Sequence, residues 1–151
     1  MEAFVMTPIG RVQNEVVVKK HHAWGADVST IVLDEAYAPG LSGLEDFSHA
    51  TILFYLDQAK FVSERHLLRR PQNREDMPVV GIFAQRCKDR PNQIGMTSVE
   101  IVAVEEGRLV VRGLDAIDGT PILDIKPYYP MYDRREATIP EWVERLMEHY
   151  F

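Results

Sequence analysis

A single cysteine, Cys87, leaves no partner for an internal disulfide, which suits a reducing compartment and a cytoplasmic location. No apolar run approaches the length needed to span a bilayer, so no membrane partner is expected. The first residues, MEAFVMTPIGRV, show neither a basic start nor a long apolar stretch, and no signal peptide is expected. Positive charge is in the minority, with 17 Lys and Arg against 23 Asp and Glu and a net charge of −6. That balance argues against broad, nonspecific attraction to a nucleic-acid backbone. It leaves room for a local basic patch, for which Arg65, His66, Arg69 and Arg70 are the candidates. The five histidines show no metal-ligand spacing, adjacent His21 and His22 diverge on a strand, and one cysteine cannot form a thiolate site, so no metal is assigned. Cys87 has no indicated partner as a nucleophile. There is no GxGxxG, no internal repeat and no low-complexity segment.

What is present describes an ordinary globular chain. It is 46% hydrophobic and 26% charged, and its 151 residues suit one domain spanning 1–151. The pattern predicts strands over residues 4–12, with a bend at Pro8, and over 28–33, where Thr30-Ile31-Val32 is β-branched. The run ATILFYL at 50–56 and the segment 79–84 read as buried strands. Residues 37–46 and 69–78 read as loops, the first with one helical turn at 44–47. Residues 97–104 alternate, turn at Glu106-Gly107 and return over 108–114, the clearest hairpin in the chain. A last strand covers 122–128. Thr138 and Glu141 match a capping box with Pro140 in the first turn, and apolar residues from Ile139 to Tyr150 recur at helical spacing, predicting a helix over about 139–150. Many short strands and one helix predict a mostly β protein, a small antiparallel β-barrel with a C-terminal α-helix, rather than a doubly wound sheet.

Two segments carry most of the chemistry. Arg90-Pro91-Asn92-Gln93-Ile94-Gly95 joins two predicted strands. Arg86 and Arg90 on such a loop suit a forked clamp on a carboxylate or phosphate, and Gly95 supplies either a positive φ or a close backbone approach. A solvated turn with exposed charges is the competing reading. Asp118-Gly119-Thr120-Pro121 is a turn in its own right, but Asp124 follows inside the apolar run Ile122-Leu123-Asp124-Ile125. A carboxylate there needs either a partner or a wet face. His49 precedes the most apolar strand and reads as a packing residue or a ligand contact. Trp24 reads as either a core residue or a surface on which a ligand stacks.

These segments, with Pro8-Ile9-Gly10, Phe47-Ser48-His49 and Gly81-Ile82-Phe83-Ala84-Gln85-Arg86, resemble the TsaA-like (TrmO/YaeB-like) family over most of the chain. The resemblance implies a small β-barrel that binds S-adenosyl-L-methionine, as a homodimer with the site near the subunit interface. It implies methylation of N6 of threonylcarbamoyladenosine beside the tRNA anticodon. The chain departs from the family pattern at Gln85 and Cys87, where Thr and Ser are usual, at Gln93, where a second proline is usual, and in ending in one helix. Under this reading Arg86 and Arg90 clamp the cofactor carboxylate. Asn92, Gly95, Asp118, Gly119, Thr120, Pro121, Leu56, Asp57 and Trp24 complete its binding set. The acceptor nitrogen is a poor nucleophile, so a base is expected, with Asp124 first and His49 second. The alternatives are methyl transfer to a small molecule and a non-enzymatic cofactor-binding module.

Overall fold

The computed structural model describes residues 1–151. Six strands close into an antiparallel barrel: β1 (Gly10–Gln13), β2 (Val28–Leu33), β3 (His49–Tyr55), β6 (Ile94–Glu105), β7 (Arg108–Arg112) and β8 (Pro121–Pro127), in the order β1-β2-β7-β6-β3-β8. A separate two-stranded ribbon, β4 (Leu68–Arg69) with β5 (Val80–Gly81), lies in the long excursion between β3 and β6. The helices are short: α1 (Ser63–His66), α2 (Pro130–Asp133) and α3 (Glu141–Met147).

Period-2 patterning explains the core. Ala50, Ile52 and Phe54 of β3 point inward, as do Ile31 and Leu33 of β2, Leu109 and Val111 of β7, and Ile122 of β8. Their intervening neighbours form the outer face. The β6–β7 hairpin turns at Gly107, whose φ of 67° lies in the region that costs glycine least. A register shift between Ile101 and Ala103, and another between Leu53 and Phe54, bend the sheet toward closure.

Three predicted elements come out differently. The first strand begins at Gly10 rather than Phe4. Pairing starts with the Ile9 N–H on the Ile122 carbonyl, Pro8 has no N–H with which to extend it, and Phe4 to Met6 are exposed. Residues 79–84 do not form a buried strand. Only Val80 and Gly81 pair, a single 3-10 turn follows at Ile82–Ala84, and Phe83 is 80% exposed. A closed barrel has no free edge to accept another strand, so apolar content alone does not bury this segment. The C-terminal helix spans 141–147, not 139–150. Pro140 occupies the N-cap with no side-chain cap, so the Thr138 capping box does not form. The helix ends at Glu148, whose ψ of 124° is non-helical, and the chain then turns so that the carbonyls of His149 and Tyr150 accept bonds from the N–H groups of Ala23 and Trp24, with His149 at φ 65°.

Gly95 faces Phe54 across the β3–β6 ladder, and a Cβ there would lie 2.3 Å from the buried Phe54 ring. Close approach, not a positive φ, is the reason for glycine. We expect Gly95→Ala to cost about 1–3 kcal/mol by overpacking. Urea denaturation checks this, and an unchanged midpoint refutes it.

Candidate functional site

The strand directions bring the two chemistry-bearing loops together. β3 delivers the chain to Leu56 and Asp57 at the end where β6 begins, just after Arg90–Gln93, and where β8 begins, just after Asp118–Thr120. The loop from Gln13 to Val28, which holds Trp24, sits at the same end. His49 does not. It starts β3, pairs with Glu100 and lies six residues from Tyr55, roughly 20 Å along the strand.

The Arg90 loop is fastened by side chains that accept or donate to backbone. Gln93 donates from Nε2 to the Leu56 and Ala59 carbonyls, both at 2.7 Å. Gln85 donates from Nε2 to the Arg69 and Val80 carbonyls at 3.1 and 3.2 Å. Arg90 donates from Nη1 to the Gln85 carbonyl at 2.7 Å and to that of Cys87 at 3.4 Å, so part of its guanidinium holds the loop itself. Asn92 and Gln93 both have positive φ, 63° and 52°. Proline, fixed near −65°, does not fit the positive φ at position 93. Asp89 ties the set together. It accepts from the Lys60 N–H at 3.1 Å and pairs with Lys88 and Arg69 at 3.3 and 3.4 Å. Burial pushes its carboxyl upward, but the Lys60 N–H and the Lys88 charge outweigh that and hold its pKa below the ordinary value.

The Asp118 turn is clasped to the segment that follows β1. Asp118 Oδ1 accepts from the Asn14 N–H at 3.0 Å, the Asp118 N–H bonds to the Val16 carbonyl, and Arg11 donates to the Gly119 carbonyl at 3.1 Å. Asn14 Nδ2 reaches both Ser29 Oγ and the Ala116 carbonyl at 2.9 Å. Thr120 and Pro121 are buried, and Thr120 Oγ1 donates to the Ile117 carbonyl. Asp118 is exposed and Gly119, at φ 84°, has open space where a Cβ would stand. The turn therefore offers its outer edge to a ligand while its inner side chains brace it.

Sequence reasoning missed Asp115 and Tyr150. Asp115 accepts hydrogen bonds from Thr97 Oγ1 and from the Tyr150 hydroxyl. Burial, then the Asp115 charge and hydrogen bond, push the Tyr150 pKa well above its ordinary value, while the Arg86 charge pulls the other way. Tyr150 therefore stays a neutral donor. The signal was present, since Asp115 stands between Leu114 and Ala116 as Asp124 does in its apolar run. Trp24 is 3% exposed, with its face covered by Lys20 Nζ at 4.5 Å from the ring centroid. It is thus a buried residue and not a presented stacking surface, though its Nε1 has no protein acceptor. Gln85 Oε1 is likewise buried without a donor.

Asp124 is on the outer face of β8. It pairs with Lys126 at 2.9 Å, its other oxygen accepts the Ile125 N–H, and its side chain is 47% exposed. The desolvated carboxylate expected from the apolar run is absent, because period 2 turns Asp124 and Lys126 outward together. No cluster of three or more His, Cys, Asp or Glu is placed to hold a metal ion. No helix is long and apolar enough to cross a membrane.

The fold is a closed six-stranded barrel that carries both motif loops at one end. The sequence profile of the family described as tRNA-methyltransferase O N-terminal domain matches residues 17–134. The chain belongs to this family. It is 37% identical over 135 residues to an S-adenosyl-L-methionine-binding protein of Archaeoglobus fulgidus, covering 85% of this chain and 92% of that one. It is 38% identical over 116 residues to a probable S-adenosyl-L-methionine-binding protein of Pyrococcus abyssi, covering 77% of this chain and 60% of that one. The human tRNA (adenine(37)-N6)-methyltransferase is 42% identical over 93 residues, 62% of this chain but 21% of the human protein. The crystal structure of TrmO from Pseudomonas aeruginosa superposes with a TM-score of 0.76 at 31% identity, covering 94% of this chain and 62% of that one.

Asp89→Asn is expected to destabilise the fold by about 1–3 kcal/mol at neutral pH by breaking charge-assisted bonds. The folded pKa lies below the ordinary 3.8, so this contribution is present above pH 3.8 and is lost as the pH falls through the folded value. Thermal melts across that range check both parts. A variant matching the wild type at pH 7 refutes the role.

Proposed function

We propose that this protein is an S-adenosyl-L-methionine-dependent methyltransferase acting on N6 of adenosine at position 37 of tRNA, in its threonylcarbamoyl-modified form, in the cytoplasm. The observation that carries the reading is the meeting of the Arg90 and Asp118 loops at one barrel end, in a chain of this family. The human relative's name specifies N6-methylation of adenine 37 in tRNA, and the archaeal relatives' names specify the cofactor.

The residues present suit the cofactor. Arg86, exposed on the loop, is the cation for its carboxylate, with Arg90 as the rigid support. The Asp118–Gly119 edge offers a carboxylate and open backbone for hydroxyl groups, and the orphaned Trp24 Nε1 and Gln85 Oε1 are buried polar atoms that a ligand would satisfy. When bound, the cofactor supplies a methyl group on a sulfonium. The protein's part is alignment, since in-line transfer depends on a held geometry. Asp124 is the base we assign to the N6 proton. In the free protein its carboxylate is paired with Lys126 at 2.9 Å, so it takes up a proton only when that pair opens.

Purified protein incubated with the cofactor and threonylcarbamoyl-modified tRNA should yield the N6-methylated nucleoside by mass spectrometry, and Asp124→Asn should cut the single-turnover rate at least about tenfold while leaving cofactor affinity unchanged. Cofactor binding without RNA methylation points instead to a small-molecule acceptor. Normal turnover in Asp124→Asn removes that residue from the chemistry.

The same reading includes a homodimer. Arg86 and Asp118 are exposed at the site end of the barrel, where a second subunit would wall the site. Apolar side chains for that contact are exposed on the outer barrel face, at Ile94 and Met96, and on the arm after β8, at Met131 and Tyr132. Sedimentation at high micromolar concentration should give a dimer, and a monomer there refutes it.

A further inference from the structure

The connections at the two barrel ends differ in charge. The two connections at the end away from the site, residues 34–48 and 105–107, contain Asp34, Glu35, Glu45, Asp46, Glu105 and Glu106 and no Lys or Arg. Glu35, Glu45, Glu105 and Glu106 line one concavity there. The excursion over residues 57–90, which leaves and re-enters the barrel at the site end, reverses the balance. It holds eight of the 17 Lys and Arg residues but five of the 23 Asp and Glu.

Those cations are gathered with the 14–27 loop into one surface. Lys19 Nζ donates to the Gln58 carbonyl at 2.9 Å, joining the two loops. The His21 pKa is lowered, first by burial and then by the charges of Lys88, His22 and Arg69. His21, His22, Arg74 and His149 line a groove of about 350 Å³, in which Glu148 is the one carboxylate and lies 3.7 Å from His149. Arg65 is exposed on α1, beside His66, whose charge is felt by Asp89. Arg69 and Lys88 share Asp89, and Arg74 pairs with Asp76, but Arg70 is held by the Met77 carbonyl and Arg90 by that of Gln85. A carbonyl positions the guanidinium without neutralising it.

The separation of the two ends decides whether the net charge of −6 matters. They lie roughly 20 Å apart along β3. The screening length is about 8 Å at physiological salt. The acidic end therefore does not cancel the field at the site end, and it turns a polyanion away from itself.

We propose that the surface formed by residues 19–22 and the 57–90 excursion is an RNA-docking face, contacting the phosphates on either side of the nucleotide delivered to the site. The barrel domain thus carries its own nucleic-acid contact despite an acidic composition. This rests on the tRNA reading above.

The test is binding of a synthetic anticodon stem-loop RNA, followed by fluorescence anisotropy between 50 and 200 mM salt. The wild type should bind with affinity that falls steeply with salt. The triple variant Lys19→Glu, His22→Glu, Arg65→Glu should bind at least about tenfold more weakly with a shallower salt slope, while S-adenosyl-L-methionine still stabilises it thermally. Should the triple variant not fold, Arg65→Glu alone should weaken binding and lower the slope by about one. Glu106→Lys, at the acidic end, should not weaken binding. RNA binding that is unchanged in the folded triple variant or in Arg65→Glu overturns the docking face and leaves the methyltransferase reading standing. Cofactor binding with no RNA binding by the wild type at any salt overturns the face and the tRNA reading together.

Discussion

Closure of the barrel through β1 is the constraint on which the rest depends. Four residues, Gly10–Gln13, pair with β2 on one side, and Gly10 and Arg11 pair with Ile122 and Pro121 of β8 on the other. Gly10 makes this possible, since a Cβ there would lie 2.3 Å from the Val32 carbonyl oxygen. Once closed, the sheet has no edges and its inward residues share one core. The same closure carries Asn14 under the Asp118 turn and sets where the site end faces.

At that end, precision comes from side chains acting as backbone ties. Gln85 and Gln93 each spend one amide on two carbonyls, and Asp89 gathers an N–H and two cations. Both glutamines stand where the family pattern has other residues. A threonine at 85 is too short for two carbonyls, and a proline at 93 has neither the side-chain donor nor a positive φ. Gln85 ties the loop to the Arg69 and Val80 backbone and Gln93 ties it to that of Leu56 and Ala59, while Arg86 stays exposed on its surface.

The tail completes the arrangement. The backbone of His149 and Tyr150 pairs with Ala23 and Trp24, and the Tyr150 hydroxyl seats on Asp115 beside Thr97. Phe151 packs against Gly25, where a Cβ would come within 2.6 Å of its backbone. The chain after β8 leaves the barrel as an exposed arm and returns to brace the loop that carries the basic residues Lys20, His21 and His22.

Local chemistry in the sequence was enough for the barrel strands, the Glu106-Gly107 hairpin and the two motif loops, because alternation and turn residues act over a few positions. It also sufficed for the family, since the Arg90 and Asp118 segments are read as strings. It did not reveal that residues 79–84 lie outside the barrel, that α3 stops at Met147, or that Trp24 is buried under Lys20. Each of those depends on a partner distant in sequence. Asp124 and Asp115 show the limit most clearly. Both are carboxylates in apolar runs, yet one faces outward to Lys126 and the other is capped by Thr97 and Tyr150. The sequence alone determined that each needed a partner or a wet face. Which it received was decided by strand register and by the returning tail, which exist only once the barrel is closed.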